Sequence, residues 1–98
     1  MKIHIAFLGI MALCAAAPAF AQSADVSNLA ASCASCHGAK NGGSGGVPGL
    51  RGKPQSVLAE QLRAFKTGTR PATVMTRFAK GYTDEEIAGL ALHFSRLK

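Results

Sequence analysis

A chain of 98 residues has room for one domain only. Eleven Lys and Arg against five Asp and Glu give a net charge of +6, which favours acidic partners. The basic residues are spread along the chain with one Tyr, five Phe and no Trp among them, a pattern that excludes a nucleic-acid-binding stripe.

The first stretch does not read as fold. Lys2 supplies a positive start, residues 3–17 are apolar or small apart from His4, and Ala19-Phe20-Ala21 is a small-x-small cleavage pattern. We expect residues 1–21 to be a signal peptide and residues 22–98 the exported, periplasmic domain. The apolar run is short for a membrane span of about 20 residues, so no span is expected after cleavage. Loss of Lys2 lowers the net charge to +5, and loss of Cys14 leaves Cys33 and Cys36. A domain this small is marginal on a side-chain core alone. A disulfide between residues three apart closes too small a loop to help much. The sequence therefore calls for a different staple.

Three helices are expected, with no strand pattern. The first runs from about Asp25 to Ala34, capped by Asp25 or Ser27, with Val26, Leu29, Ala30 and Cys33 at helical spacing. Asn41-Gly42-Gly43-Ser44-Gly45-Gly46 reads as a flexible loop with no side chains to pack. The second helix runs from about Pro54 to Lys66, with proline suited to the first position, Leu58, Leu62 and Phe65 on one face, and Gly68 as the stop. Thr69 to Gly81 reads as a long connection holding Pro71 and Met75. The last helix opens with the capping box Thr83-x-x-Glu86, places Asp84, Glu85 and Glu86 at its positive end, and aligns Ile87, Leu90, Ala91, Phe94 and Leu97. The fold class is all-α, with apolar helix faces that have too little of each other to bury. They suit a flat apolar cofactor between them.

Cys33-Ala34-Ser35-Cys36-His37 is the C-x-x-C-H pattern of c-type haem attachment. Two thiols one helical turn apart can reach the two vinyl groups on one porphyrin edge, and the adjacent imidazole then lies under the ring. A thioredoxin-like pair would want a βαβ context that is missing here. A zinc site would have to recruit Cys33, Cys36, His37 and His93, and adjacent Cys and His suit a tetrahedron poorly. One covalently attached haem c is the expected cofactor, with His37 as an iron ligand. For the other axial position Met75 is the lone methionine after signal removal, and a thioether raises the potential. His93, on the flank of the last helix, is the rival ligand, and an open site the third possibility. No constellation of catalytic acid, base or nucleophile is visible, so we expect an electron-transfer protein and not an enzyme in its own right.

From about Asn28 onward the sequence resembles class I c-type cytochromes. That resemblance implies a small fold of three to four helices around one covalently bound haem, with crossed N- and C-terminal helices. Pro48-x-Leu50-x-Gly52 is similar to the family's proline loop. It implies that the Pro48 carbonyl accepts a hydrogen bond from His37 and that Leu50 packs on the haem. Gln61-Leu62-x-x-Phe65-x-x-Gly68-x-Arg70 and Thr73-Val74-Met75 through Ile87 resemble the cytochrome subunit of flavocytochrome c sulfide dehydrogenase and the cytochrome c4 and c553 group. The implied function is a periplasmic monohaem carrier of single electrons with redox protein partners. The alternative is a haem subunit of a flavocytochrome c sulfide dehydrogenase, fed by a flavoprotein. Arg51, Lys53, Arg70, Arg77 and Tyr82 are candidate partners for the haem propionates.

Overall fold

The computed structural model describes residues 25–98, together with the isolated positions 3 and 9. The expected signal peptide, residues 1–21, otherwise lies outside the described residues. Among the described residues four α-helices follow one another: α1 Ser27–His37, α2 Gln55–Thr67, α3 Met75–Lys80 and α4 Asp84–Ser95, with a 3-10 turn at Ala39–Asn41. Among the described residues the only β pairing is an isolated bridge between Ser44 and Val47. None of the helices there is long and apolar enough to cross a membrane.

Each helix has a local cause. Ahead of α1, the Asp25 carboxylate accepts from the Ser27 hydroxyl at 2.6 Å and from its backbone N–H at 3.0 Å, and these bonds hold its pKa below the ordinary carboxylate value. The formal N-cap is Val26, which has no side-chain cap. The helix runs one turn past the expected Ala34, to His37, because the first residue that leaves helical geometry is Gly38 at φ 90°. Pro54 sits at the N-cap of α2, one position before the expected first helical residue, and Gly68 ends that helix in the left-handed conformation that glycine favours. In α4 both halves of the capping box form: Thr83 Oγ1 accepts from Glu86 N at 3.1 Å, and Glu86 Oε1 accepts from Thr83 N at 2.9 Å.

Helix α3 lies within the stretch Thr69 to Gly81 that the sequence presents as a connection. Its six residues are too few to display a helical period, and its N-cap, Val74, offers no side-chain bond. Tertiary contact holds it: Ala79 is fully buried and the helix packs on α2.

The core joins the two ends of the chain. Val26 and Ala30 of the first segment pack with Leu58 and Ala59 of α2 and with Leu90, Ala91 and Phe94 of α4. The small buried residues Ala30 and Ala91 leave room for α1 and α4 to approach. Lys66 ties α2 to the start of α4 by donating to the Tyr82 carbonyl at 2.6 Å, with Asp84 3.5 Å away. That ion pair is exposed and contributes little by itself.

Thr83→Ala removes one half of the capping box and should cost about 1 kcal/mol. For a domain of this size that lowers the melting temperature by about 4–8 °C, measurable by circular dichroism of the purified protein. An unchanged melting temperature would show that the cap does not limit stability.

Candidate functional site

Because α1 continues to His37, Cys33, Cys36 and His37 occupy positions i, i+3 and i+4 on one face of its last turns. Cys33 is half-buried and Cys36 exposed, and both are free thiols. Cys33 Sγ lies 3.5 Å from the Leu29 carbonyl, and burial pushes the thiol's pKa up from its ordinary value.

His37 is buried, at 8 % exposure. Its Nδ1 lies 2.6 Å from the carbonyl oxygen of Pro48. A carbonyl can only accept, so Nδ1 carries a proton, and in the neutral ring this leaves the lone pair on Nε2. That is the tautomer a metal-ligating histidine requires.

These groups meet at a cavity of about 570 Å³, within the range of cofactor pockets. Cys33, Cys36, His37, Pro48, Leu50 and Met75 all line it. Leu58, Leu62 and Phe65 come in from α2, Val74 and Phe78 from around α3, and Leu90 and Phe94 from α4. The wall is thus apolar, with two thiols, one imidazole and one thioether set into it. This donor set fits haem c: thiols for its vinyl groups, nitrogen and sulfur for its iron, and an aliphatic and aromatic envelope for the ring. Phe78 was not singled out by the sequence because α3 was not. With the helix known, it stands three residues after Met75 and shares its face.

Other residues are sorted by the same geometry. Lys53, Arg70 and Tyr82 line the cavity, whereas Arg51 lines a separate hollow and Arg77 lines neither. The Arg70 guanidinium lies 5.1 Å from the centre of the Phe65 ring, a cation–π contact at the cavity wall. His93 lines the separate hollow with Lys40, Asn41 and Arg51, and its ring meets Phe94 edge-on at 5.2 Å. The four residues that a zinc site would need are therefore divided between two hollows. Tyr82 is partly buried, and burial above all, with Cys33 and Glu86 adding to it, raises its hydroxyl above the ordinary value of 10.0.

Comparison with known proteins agrees with this donor set. Residues 15–93 match the family model described as cytochrome c oxidase, cbb3-type, subunit III. The chain is 45% identical over 69 residues to the cytochrome subunit of sulfide dehydrogenase of Chlorobaculum tepidum, covering 70% of this chain and 63% of that protein. It is 44% identical over 51 residues to a thiosulfate dehydrogenase electron acceptor of Thiomonas intermedia, covering 52% of this chain and 24% of that one. The chain thus spans less than two thirds of the length of either curated relative. The family match spans most of the chain, and the chain belongs to this family of c-type cytochromes. Membership of that family implies haem c binding, and the described residues are α-helical apart from one isolated bridge, as the family's fold requires.

The neutral Tyr82 is favoured by folding, so its contribution to stability is complete below about pH 10 and is lost as pH rises through the raised folded value. Tyr82→Phe should therefore flatten the alkaline decline in denaturation midpoint while leaving the neutral-pH value nearly unchanged. Parallel declines in the two proteins would remove Tyr82 as a cause.

Proposed function

We propose that this member of the c-type cytochromes is a periplasmic monohaem carrier of single electrons, with a signal peptide at residues 1–21, a cytochrome domain at residues 22–98, and His37 and Met75 as axial ligands. The observation that carries the reading is the meeting of Cys33, Cys36, His37 and Met75 at one apolar cavity. Bound haem would supply a one-electron ferric–ferrous couple; every other part of the task falls to the polypeptide.

Cys33 and Cys36 would hold the cofactor through thioether bonds to its vinyl groups, an addition in which each thiol hydrogen would pass to the neighbouring carbon and no external oxidant would be needed. His37 offers Nε2 to the iron, and the Pro48 carbonyl fixes the ring and its tautomer through Nδ1. Met75 at the start of α3 offers its thioether, a soft donor that favours the ferrous state. Leu50, Leu58, Leu62, Phe65, Leu90 and Phe94 keep water from the site, and a low-dielectric wall also favours the less charged ferrous centre. Of the candidate propionate partners, Lys53, Arg70 and Tyr82 line that cavity.

The partners in this reading are other redox proteins, and the net positive charge favours acidic ones. A second reading is favoured by the 45% identity to a cytochrome subunit of sulfide dehydrogenase: the chain is the haem subunit of such an enzyme and takes its electrons from a flavoprotein. A subunit co-purifies with its flavoprotein from the native host, whereas a free carrier elutes alone.

The mass and pyridine haemochrome spectrum of the exported protein test the reading directly. Expected are the mass of residues 22–98 plus one haem and a c-type spectrum with one haem per chain. A colourless product at the bare polypeptide mass, from a host able to mature c-type cytochromes, would sink it. Met75→Ala should lower the reduction potential, open the iron to carbon monoxide and abolish the long-wavelength ferric band of thioether-bound iron. A variant that keeps its potential and still excludes carbon monoxide would assign the sixth position to another residue.

A further inference from the structure

The glycine-rich segment after α1 is not the loose connection that its composition suggests. Gly43 N donates to the His37 carbonyl at 2.7 Å, and the Asn41 carbonyl accepts from both Leu50 N at 2.9 Å and Arg51 N at 3.2 Å. Ser44 and Val47 exchange two further backbone bonds at 3.0 and 2.9 Å. Residues 37–51 thus form a closed circuit. It leaves from the backbone carbonyl of His37 and returns, through the Pro48 carbonyl, to the same residue's imidazole.

What closes the circuit is a backbone-on-backbone contact. A Cβ added at Gly49 would lie 2.9 Å from both the carbonyl carbon and the oxygen of Gly42, and 3.3 Å from Gly43 N. Atoms of the main chain cannot rotate out of the way as a side chain would. Gly49 is not among the positive-φ residues, so nothing but this contact demands glycine there. Gly38 presses on the Gly43 carbonyl in the same manner, but its φ of +90° gives it a second reason to be glycine. Gly46, three residues before Gly49 in the same segment, has nothing within 4 Å of its added Cβ.

We propose that Gly49 is a positioning residue for the iron-ligating imidazole: its bare backbone lets residues 47–50 close on Gly42, and that contact seats the Pro48 carbonyl against His37 Nδ1. The inference rests on His37 being an axial ligand. Bringing an alanine Cβ from 2.9 Å to an ordinary 3.4 Å separation from Gly42 requires the two segments to part by about 0.5 Å. Such a shift takes the 2.6 Å His37–Pro48 contact to the long edge of hydrogen bonding. The carbonyl increases the electron donation of the imidazole and so favours ferric iron. Weakening the bond withdraws that donation and favours ferrous iron.

The test compares Gly49→Ala with Gly46→Ala in the haem-loaded protein. Gly49→Ala should shift the reduction potential upward and speed solvent exchange of the His37 Nδ1 proton in the ferrous protein by about tenfold, the worth of one hydrogen bond. Gly46→Ala should match the wild type in both. A purely structural role would lower the melting temperature and leave potential and proton exchange alone, and that result overturns the proposal. Should Gly49→Ala fail to hold haem, the wild-type holoprotein decides. The Leu50 and Arg51 amides must be protected from exchange, and exchange at the rate of a free loop overturns the proposal. Failure of the underlying reading is separately visible, because a wild-type ferrous protein without ring-current-shifted His37 resonances has no axial His37 at all.

Discussion

The hydrogen bond between His37 Nδ1 and the Pro48 carbonyl is the constraint around which the rest of the molecule is arranged. A neutral imidazole whose Nδ1–H is committed to a carbonyl has its lone pair on Nε2, free to be offered to a metal. The local structure on both sides serves that outcome. Helix α1 stays helical through the motif and so carries Cys33, Cys36 and His37 on one face, and the chain then doubles back to bring Pro48 against the ring. The ring nitrogen of His37 is satisfied by backbone, and much of the cavity wall is left to apolar side chains.

That cavity also explains how a domain of this size is built. Leu90 and Phe94 belong to the core cluster and to the cavity wall at once. The helices therefore surround a space and do not fill it, and the apolar surface facing that space counts toward burial only when something flat and apolar occupies it. The polypeptide core proper is the small junction among α1, α2 and α4, with Val26, Ala30, Leu58 and Ala91 at its centre. Function and stability thus draw on the same surface, and a carrier of electrons gains from the arrangement because a dry, fixed envelope limits the rearrangement that accompanies a change of charge.

The legibility of the sequence varied with the kind of signal. The donor residues could be read because they lie close together or are rare: Cys33, Cys36 and His37 in five positions, Met75 by uniqueness after residue 21. Helix α4 could be read from its capping box, a local device that works the same way in isolation and in the fold. Helix α3 could not, because six residues carry no measurable period and owe their conformation to packing against α2. The glycine run departs from what its composition suggests for a related reason. Glycine-rich composition signals freedom in the unfolded chain, whereas here the missing side chain lets one stretch of backbone close on another, so that a Cβ added at Gly49 would come within 2.9 Å of Gly42.

The sequence by itself determined the chemistry: the thiol pair at its spacing, the adjacent imidazole, the lone thioether and the apolar helix faces are properties of residue identity and order, and no folding is needed to count them. Only the tertiary structure decided which of these residues share a cavity, that His93 and Arg51 line a different hollow, that α1 extends through His37, and that the glycine segment is locked against the proline loop. The physical reason is range. Attachment spacing and helix capping are set by neighbours three or four positions apart, while the pairing of a histidine with a carbonyl eleven residues on, or of one backbone with another, exists only after the chain has closed on itself.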